Sequence, residues 1–175
     1  NISLDLKHPD GREACLRLAE RSDIVVTNLR PGPLGRLGLT YEAVRARNPR
    51  VIFCQAQGWP TDGEHGNRPA YDDVIQSASG LADTFLQRDG TPAIAPTIVA
   101  DKVSGLTIVY AVLAALHHRD RTGEGQRVEV PMVEAMQAFM LAEHGSGAIP
   151  EPASGPAGYT RVLSPNRRPQ RTADG

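Results

Sequence analysis

The sequence predicts an α/β fold with a doubly wound parallel sheet, and three observations support it. Two apolar runs rich in β-branched residues, at 24–28 and 51–54, each follow a segment with helical character. Such continuous runs are typical of strands that helices cover on both faces of a parallel sheet. Segments rich in Gly and Pro separate these elements. Ligands of such sheets bind beyond the carboxyl ends of the strands, so we expect a site in the loops after Asn28 and Ala56.

The first half of the chain predicts the order β-α-β-α-β. Residues 2–6 indicate a short strand, and a helix follows to about Arg21, with Pro9 in its tolerant first turn. After the strand at 24–28, residues 30–38 predict a Pro/Gly loop. Thr40 is expected to cap a short helix that ends near Arg47.

The second half starts with a Gly-rich loop at 57–67 and a helix at 72–86 that Gly80 interrupts. Residues 106–116 form an apolar run of about half the roughly 20 residues that cross a bilayer, which predicts a core helix. A turn, a strand and a further helix are expected in order at 122–125, 126–130 and 132–143. We predict part of a large α/β domain at 1–145 and a Pro/Gly-rich segment of lower order at 146–175 that leads toward a smaller domain.

Composition indicates a globular chain of 175 residues with 40% hydrophobic residues. Its 19 basic and 20 acidic residues leave no positive surplus for nucleic acid or a membrane surface. Cys15 and Cys54 stand in apolar segments without a CxxC pattern and predict buried thiols in a reducing compartment. Without a visible secretory signal, we expect a cytoplasmic protein. The first residue is Asn1 and not Met, so we expect an internal fragment of a longer protein.

Local motifs exclude several chemistries. No GxGxxG, Walker or HExxH pattern occurs, so nicotinamide, phosphate-loop and zinc-protease sites lack support. The five histidines are scattered, and the adjacent pair His117 and His118 points in directions about 100° apart on a helix, which is poor for chelation. We predict no metal site.

Asp101 is the most informative single residue, because it stands alone before the apolar helix. An aspartate there has a structural interpretation as the helix N-cap, whose oxygen accepts an otherwise unpaired backbone N–H. It also has a functional interpretation as a carboxylate that faces a ligand. The spacing alone favours the structural one.

Four segments taken together change this balance. They are residues 2–7 (ISLDLK), 28–39 (NLRPGPLGRLGL), 70–72 (AYD), and 101–105 (DKVSG) with its continuation into 114–116 (AAL) and 122–126 (TGEGQ). Together they resemble the family III coenzyme A transferases, a group that includes formyl-CoA transferase, the carnitine CoA-transferases and the α-methylacyl-CoA racemases. The resemblance covers residues 2 to about 143, and 169–175 resemble the turn out of the large domain. It implies that residues 1–145 are part of a Rossmann-like, CoA-binding large domain that carries the catalytic nucleophile.

The resemblance implies site residues by position. The family's covalent nucleophile is an aspartate immediately before the apolar helix, which corresponds to Asp101. Adenine and phosphate contacts of CoA are implied at Leu4, Asp5, Leu6, Lys7, Asn28, Leu29, Arg30 and Arg36, and pantetheine contacts at Ala70, Tyr71 and Asp72. Pro69 stands where some members have a basic residue. Independently of the family, the basic side chains among these residues suit the anionic phosphates of CoA.

The implied activity is transfer of CoA between an acyl-CoA and a carboxylic acid through a covalent aspartyl intermediate. CoA and acyl-CoA are then substrates, and no permanently bound cofactor is expected. The main alternative is racemisation at the α-carbon of an acyl-CoA. The racemases have a histidine where this chain has Tyr71, and tyrosine, with an ordinary pKa of about 10, exchanges protons poorly near neutral pH. This favours transfer.

A non-catalytic CoA-binding fragment is the alternative of another class. For the full-length protein, the family implies an interlocked homodimer. Support within the chain is limited to the apolar residues of 132–140, which could cover either their own sheet or a neighbouring chain.

Overall fold

The structure is a computed structural model that describes residues 1–173, and it confirms the α/β fold. The helices and strands are, in order, α1 (Pro9–Glu20), β1 (Ile24–Thr27), α2 (Pro31–Leu37), α3 (Tyr41–Arg47), β2 (Ile52–Gln57), α4 (Asp72–Ala78), α5 (Leu81–Asp89), α6 (Val99–Thr122), β3 (Gln126–Pro131) and α7 (Met132–His144). The three strands are parallel and lie in the order β1-β2-β3.

Alternate side chains of the central strand β2 face two different helical layers. Phe53 packs with residues of α1, α2 and α3 on one face of the sheet. Ile52 and Cys54 pack on the other face against α6 and β3, and burial raises the pKa of the Cys54 thiol. Helices therefore cover both faces of β2, as predicted. The edge strand β1 is less covered, since Val26 is 55% exposed.

Two N-terminal elements differ from the predictions. Residues 2–6 form no strand. A turn follows from Asp5 to His8, in which the Asp5 carboxylate accepts the Lys7 N–H at 3.0 Å and the Asp5 carbonyl accepts the His8 N–H at 3.1 Å. Residues 31–37, expected in a loop, form α2. Pro31 stands at the first helical position, where a missing N–H costs nothing, and Gly38 closes the helix with a φ of 63°.

Most other elements lie where the sequence predicts them. The Thr40 hydroxyl caps α3 by accepting the Ala43 N–H at 3.4 Å. Gly80, with a φ of 90°, separates α4 from α5. Beyond α7, the described residues contain a short 3₁₀ turn at Ser146–Ala148 and no further helix or strand. Residues 174–175 of the predicted C-terminal turn lie outside the described residues.

The start of α6 differs from the simple capping interpretation. The N-cap is Ile98, which provides no side-chain hydrogen bond, and Asp101 lies two residues inside the helix. The Asp101 N–H instead donates to the Asp72 carboxylate at 2.9 Å. Asp101 is therefore not the cap, and its own carboxylate is free of that role.

Asp72 belongs to a buried polar network that joins α4 to the segment before α6. Its other carboxylate oxygen accepts from the Gln76 side-chain amide at 2.5 Å. Gln76, fully buried, also donates to the Thr97 carbonyl at 3.1 Å and accepts the Ala95 N–H at 2.8 Å. Apolar residues of α4, α6 and α7 pack in the same region as this polar network, with Ile75, Ala100 and Met136 each 0% exposed.

Helix α6 is only partly a core helix. Val112 and Ala115 are buried against the sheet. By length and composition alone the 24-residue helix could cross a membrane. A second face carries exposed apolar side chains at helical spacing, namely Leu106 (70%), Val109 (55%), Tyr110 (62%) and Leu113 (58%).

Replacement of Asp72 by alanine is expected to lower the free energy of unfolding by about 2 kcal/mol, because the buried Gln76 amide and the partly buried Asp101 N–H lose their acceptor. Urea denaturation of the chain, followed by circular dichroism, measures this. Asp73→Ala is the matched control in the same helical turn, since its side chain is exposed, and should change the value by less than about 0.5 kcal/mol. Equal losses in both variants would contradict the capping role.

Candidate active site

A cleft of about 490 Å³ opens at the carboxyl ends of the three strands. Asn28 follows β1, Gly58 follows β2 and Met132 follows β3, and all three line the cleft. This is the edge at which a doubly wound sheet binds its ligands. The prediction of a site in the loops after Asn28 and Ala56 therefore coincides with the cleft.

One face of α6 forms a wall of this cleft. Its residues are Asp101, Ser104, Gly105 and Ile108, at the i, i+3, i+4, i+7 spacing of a single helix face. The Ser104 hydroxyl donates to the Ala100 carbonyl at 2.7 Å. At Gly105 a Cβ would meet no atom within 4 Å, so the helix backbone itself borders the cleft.

The Asp101 carboxylate is exposed at the cleft, and no hydrogen-bond donor or cation pairs with it among residues 1–173. Nearby protein atoms remove part of its hydration, and the Asp72 carboxylate lies close. Both effects disfavour the charged form and raise the pKa of Asp101 above its ordinary value. An unpaired carboxylate in such surroundings has the properties of a nucleophile or a base.

The structure places the other residues predicted near Asp101 at the same cleft. Ala70, Tyr71 and Asp72 line it, with Tyr71 77% exposed and Asp72 only 7% exposed. Both oxygens of Asp72 already accept hydrogen bonds, one from Gln76 and one from Asp101. Contact of these residues with CoA remains a prediction.

Three backbone amides at the start of α6, those of Val99, Asp101 and Lys102, have acceptors within the protein. The N–H groups of Val99 and Lys102 donate to the carbonyls of Thr97 and Ile98 at 2.8 and 3.2 Å. The Asp101 N–H is held by Asp72. These amides are therefore already used, although a helix start often supplies donors to a developing oxyanion.

Two arginines also line the cleft, and the sequence motifs identified only one of them. Arg30 donates to the Asn67 carbonyl at 2.8 Å, which ties the loop after β1 to the loop after β2. Arg68 is exposed at the cleft. The family resemblance pointed to a basic position at Pro69 and missed Arg68 immediately before it.

Several predicted CoA contacts lie outside the cleft. Leu4, Asp5, Leu6 and Lys7 lie in the segment before α1, where Leu6 packs on the core and Lys7 is exposed. Leu29 and Arg36 also do not line the cleft. Since Arg36 is exposed in the last turn of α2, a ligand that reaches it must extend over the protein surface beyond the cleft.

A polar network beneath the cleft was also missed. Glu129 of β3 accepts from the Gln57 amide at 3.0 Å, from the Thr61 N–H and hydroxyl at 2.7 Å each, and from Arg127 at 3.0 Å. It fixes the loop after β2. The sequence signal was a charged pair, Arg127 and Glu129, that alternates with Val128 and Val130 in β3.

Among the described residues, no group of three or more His, Cys, Asp or Glu side chains could hold a metal ion.

Comparison with known proteins identifies the relatives. The sequence profile of CoA-transferase family III matches residues 1–175. A probable fatty acyl-CoA transferase of Mycobacterium tuberculosis is 35% identical over 87% of this chain. Formyl-CoA:oxalate CoA-transferase of Escherichia coli is 36% identical over 78%. The chain spans only 41% and 33% of the lengths of these two relatives.

Solved structures agree with these matches. A CAIB/BAIF family protein from Brucella suis superposes with a TM-score of 0.80 and 30% identity, over 91% of this chain and 42% of that one. The crystal structure of the M. tuberculosis protein superposes with a TM-score of 0.75 and 33% identity, over 81% of this chain and 39% of that one. The resemblance seen in the sequence is thereby confirmed, and the chain belongs to CoA-transferase family III.

Proposed function

We propose that this chain supplies the nucleophile and part of the CoA site of an enzyme that moves CoA between an acyl-CoA and a carboxylic acid. The observation that carries the proposal is the unpaired carboxylate of Asp101, an exposed residue that lines the cleft at the carboxyl ends of the strands. The names of its relatives, a formyl-CoA:oxalate CoA-transferase among them, give further support.

In the proposed reaction, the Asp101 carboxylate attacks the thioester carbonyl and forms an acyl-aspartyl anhydride, while the CoA thiolate leaves. The thiolate then attacks the aspartyl carbonyl, which releases the donor acid and forms an aspartyl-CoA thioester. The acceptor carboxylate attacks this thioester to give a second anhydride and the thiolate. Attack of the thiolate on the new acyl group yields the product acyl-CoA and restores Asp101.

Tyr71 is the proposed donor to the oxyanion that forms in these steps. The amides of Val99, Asp101 and Lys102 already have acceptors, whereas Tyr71 is largely exposed at the same cleft. A phenolic O–H can donate a hydrogen bond to developing negative charge. Helix α6 itself keeps the nucleophile in place.

We also propose a homodimer for the complete protein. The exposed apolar side chains of α6 and the exposed Phe139 and Leu141 of α7, 56% and 54% exposed, support it because large apolar patches mark contact surfaces. Light scattering on the complete protein should give twice the mass of one chain. A single-chain mass would contradict the proposal.

Incubation of the complete protein with a panel of acyl-CoA thioesters, followed by quenching and mass spectrometry, should reveal an acyl or CoA adduct on the peptide with Asp101. In Asp101→Asn the adduct should disappear and turnover should fall at least about a thousandfold, because the nucleophile is lost. Lys102→Met, a change at the exposed neighbour, is the control and should keep the adduct. Deuterium entry at the substrate α-carbon without any adduct would favour racemisation. If neither an adduct nor deuterium entry is detected, a non-catalytic binding role is favoured.

The rate should depend on pH through Asp101, which must be charged to attack. Because its pKa is raised, the acid limb of kcat/KM should lie at higher pH than for an ordinary aspartate. Asp72→Asn removes a neighbouring negative charge, so the acid limb should move to lower pH. Asp73→Asn is the matched control and should leave the limb in place. A shift to higher pH in Asp72→Asn would contradict this assignment of the limb.

A further inference from the structure

Within the described part of the chain, three glycines line the cleft, and packing explains two of them. At Gly58 a Cβ would collide with the Ala70 side chain, and at Gly66 it would lie 2.6 Å from the Thr61 carbonyl oxygen. The third is Gly105 of α6, where a Cβ would meet no atom within 4 Å outside the adjoining helix backbone. Packing among the described residues therefore does not require a glycine there.

The backbone conformation does not require this glycine either. Gly105 lies inside the regular helix α6 and is not one of the glycines with a positive φ. In the interior of a helix, glycine is less stable than alanine because it loses more conformational freedom when the chain folds. Gly105 thus destabilises α6, and no contact among the described residues compensates for this.

A side chain at position 105 would lie beside Asp101. Side chains of a helix lean toward its N-terminus, so each one covers the turn that precedes it. Positions i and i+4 are therefore neighbours, with about 5–6 Å between their Cβ atoms. Gly105 is exposed and borders the cleft, as Asp101 does. The glycine leaves the space next to the nucleophile open.

This space suits the group that Asp101 carries in the proposed reaction. The thioester carbonyl must come within about 3–3.5 Å of the attacking carboxylate, and the anhydride then attaches the acyl group to Asp101 itself. Ile108, which follows on the same face of α6, gives that part of the cleft wall an apolar character. An apolar acyl group matches such a wall better than a charged part of CoA does.

We infer that Gly105 makes room for the acyl group next to Asp101 and thereby sets the size of the acyl group that the site accepts. This inference rests on the proposed function, because it assumes that Asp101 reacts with an acyl-CoA. Gly105 is then a specificity-determining residue that takes no part in the chemistry. A larger residue at this position would exclude acyl groups branched close to the thioester more strongly than small ones.

The test is calorimetry on the complete protein with Asp101→Asn, which lacks the nucleophile and so binds acyl-CoA without turnover. The ligands are CoA, acetyl-CoA and isobutyryl-CoA, which is branched at the α-carbon. Added Gly105→Ala should weaken binding of isobutyryl-CoA at least about fivefold, and added Gly105→Leu more than about tenfold. Affinity for CoA should change less than about twofold, with acetyl-CoA between the two.

Two other patterns of binding would overturn the inference. Equal losses for all three ligands would mean that the pantetheine arm, and not the acyl group, fills the space beside Asp101. Unchanged affinity for both thioesters in both Gly105 variants would mean that no part of the ligand lies there. Absence of any Asp101 adduct in the wild-type protein would refute the proposed reaction and leave the binding result standing.

Stability measurements distinguish lost space from damage to the fold. Gly105→Ala should move the midpoint of urea denaturation to higher urea, because alanine favours the helix. A lower midpoint would show that the fold itself needs this glycine and would contradict the inference. Gly35→Ala is the matched control, since Gly35 is an exposed glycine of α2 with equally open surroundings outside the cleft. It should leave the ratio of isobutyryl-CoA to CoA affinity unchanged.

Discussion

The architecture of the cleft depends on one hydrogen bond between α4 and α6. The Asp72 carboxylate accepts the Asp101 N–H at 2.9 Å across a separation of 29 residues. No side chain at the start of α6 caps that helix, so the acceptor comes from another helix. The fully buried Gln76 holds the same carboxylate and the segment before α6. The place of Asp101 relative to the strand ends is thereby a property of the tertiary fold.

Local signals account for the elements that the sequence could predict. The β-branched runs, the Thr40 cap and the break at Gly80 act over a few residues, so they specify their elements wherever the chain packs. The location of the site followed from the same elements, because the carboxyl ends of parallel strands meet at one edge. Asp101 and Tyr71 were found through resemblance to a family, since spacing alone favoured a cap for Asp101.

The errors concern features that depend on distant partners or on competing local rules. Residues 2–6 have the composition of a strand, but they pair with no strand among the described residues and turn into α1 instead. The segment with Pro31 and Gly38 was expected to be a loop, although these residues also suit the start and end of a helix. The acceptors of Gln57 and Asp101 lie 72 and 29 residues away, a distance at which no sequence pattern reports pairing.

The closeness of Asp72 to Asp101 has an energetic consequence for catalysis. In the free protein the loss of hydration disfavours the charge on Asp101 most, and repulsion from the nearby Asp72 carboxylate adds to it and raises the free energy of the resting state further. Acylation of Asp101 would replace its charge with a neutral carbonyl and relieve this repulsion. Asp72 would not touch the substrate, yet it would favour the covalent intermediate over the resting carboxylate. Asp72, which holds Asp101 in position, would then also increase the reactivity of its carboxylate.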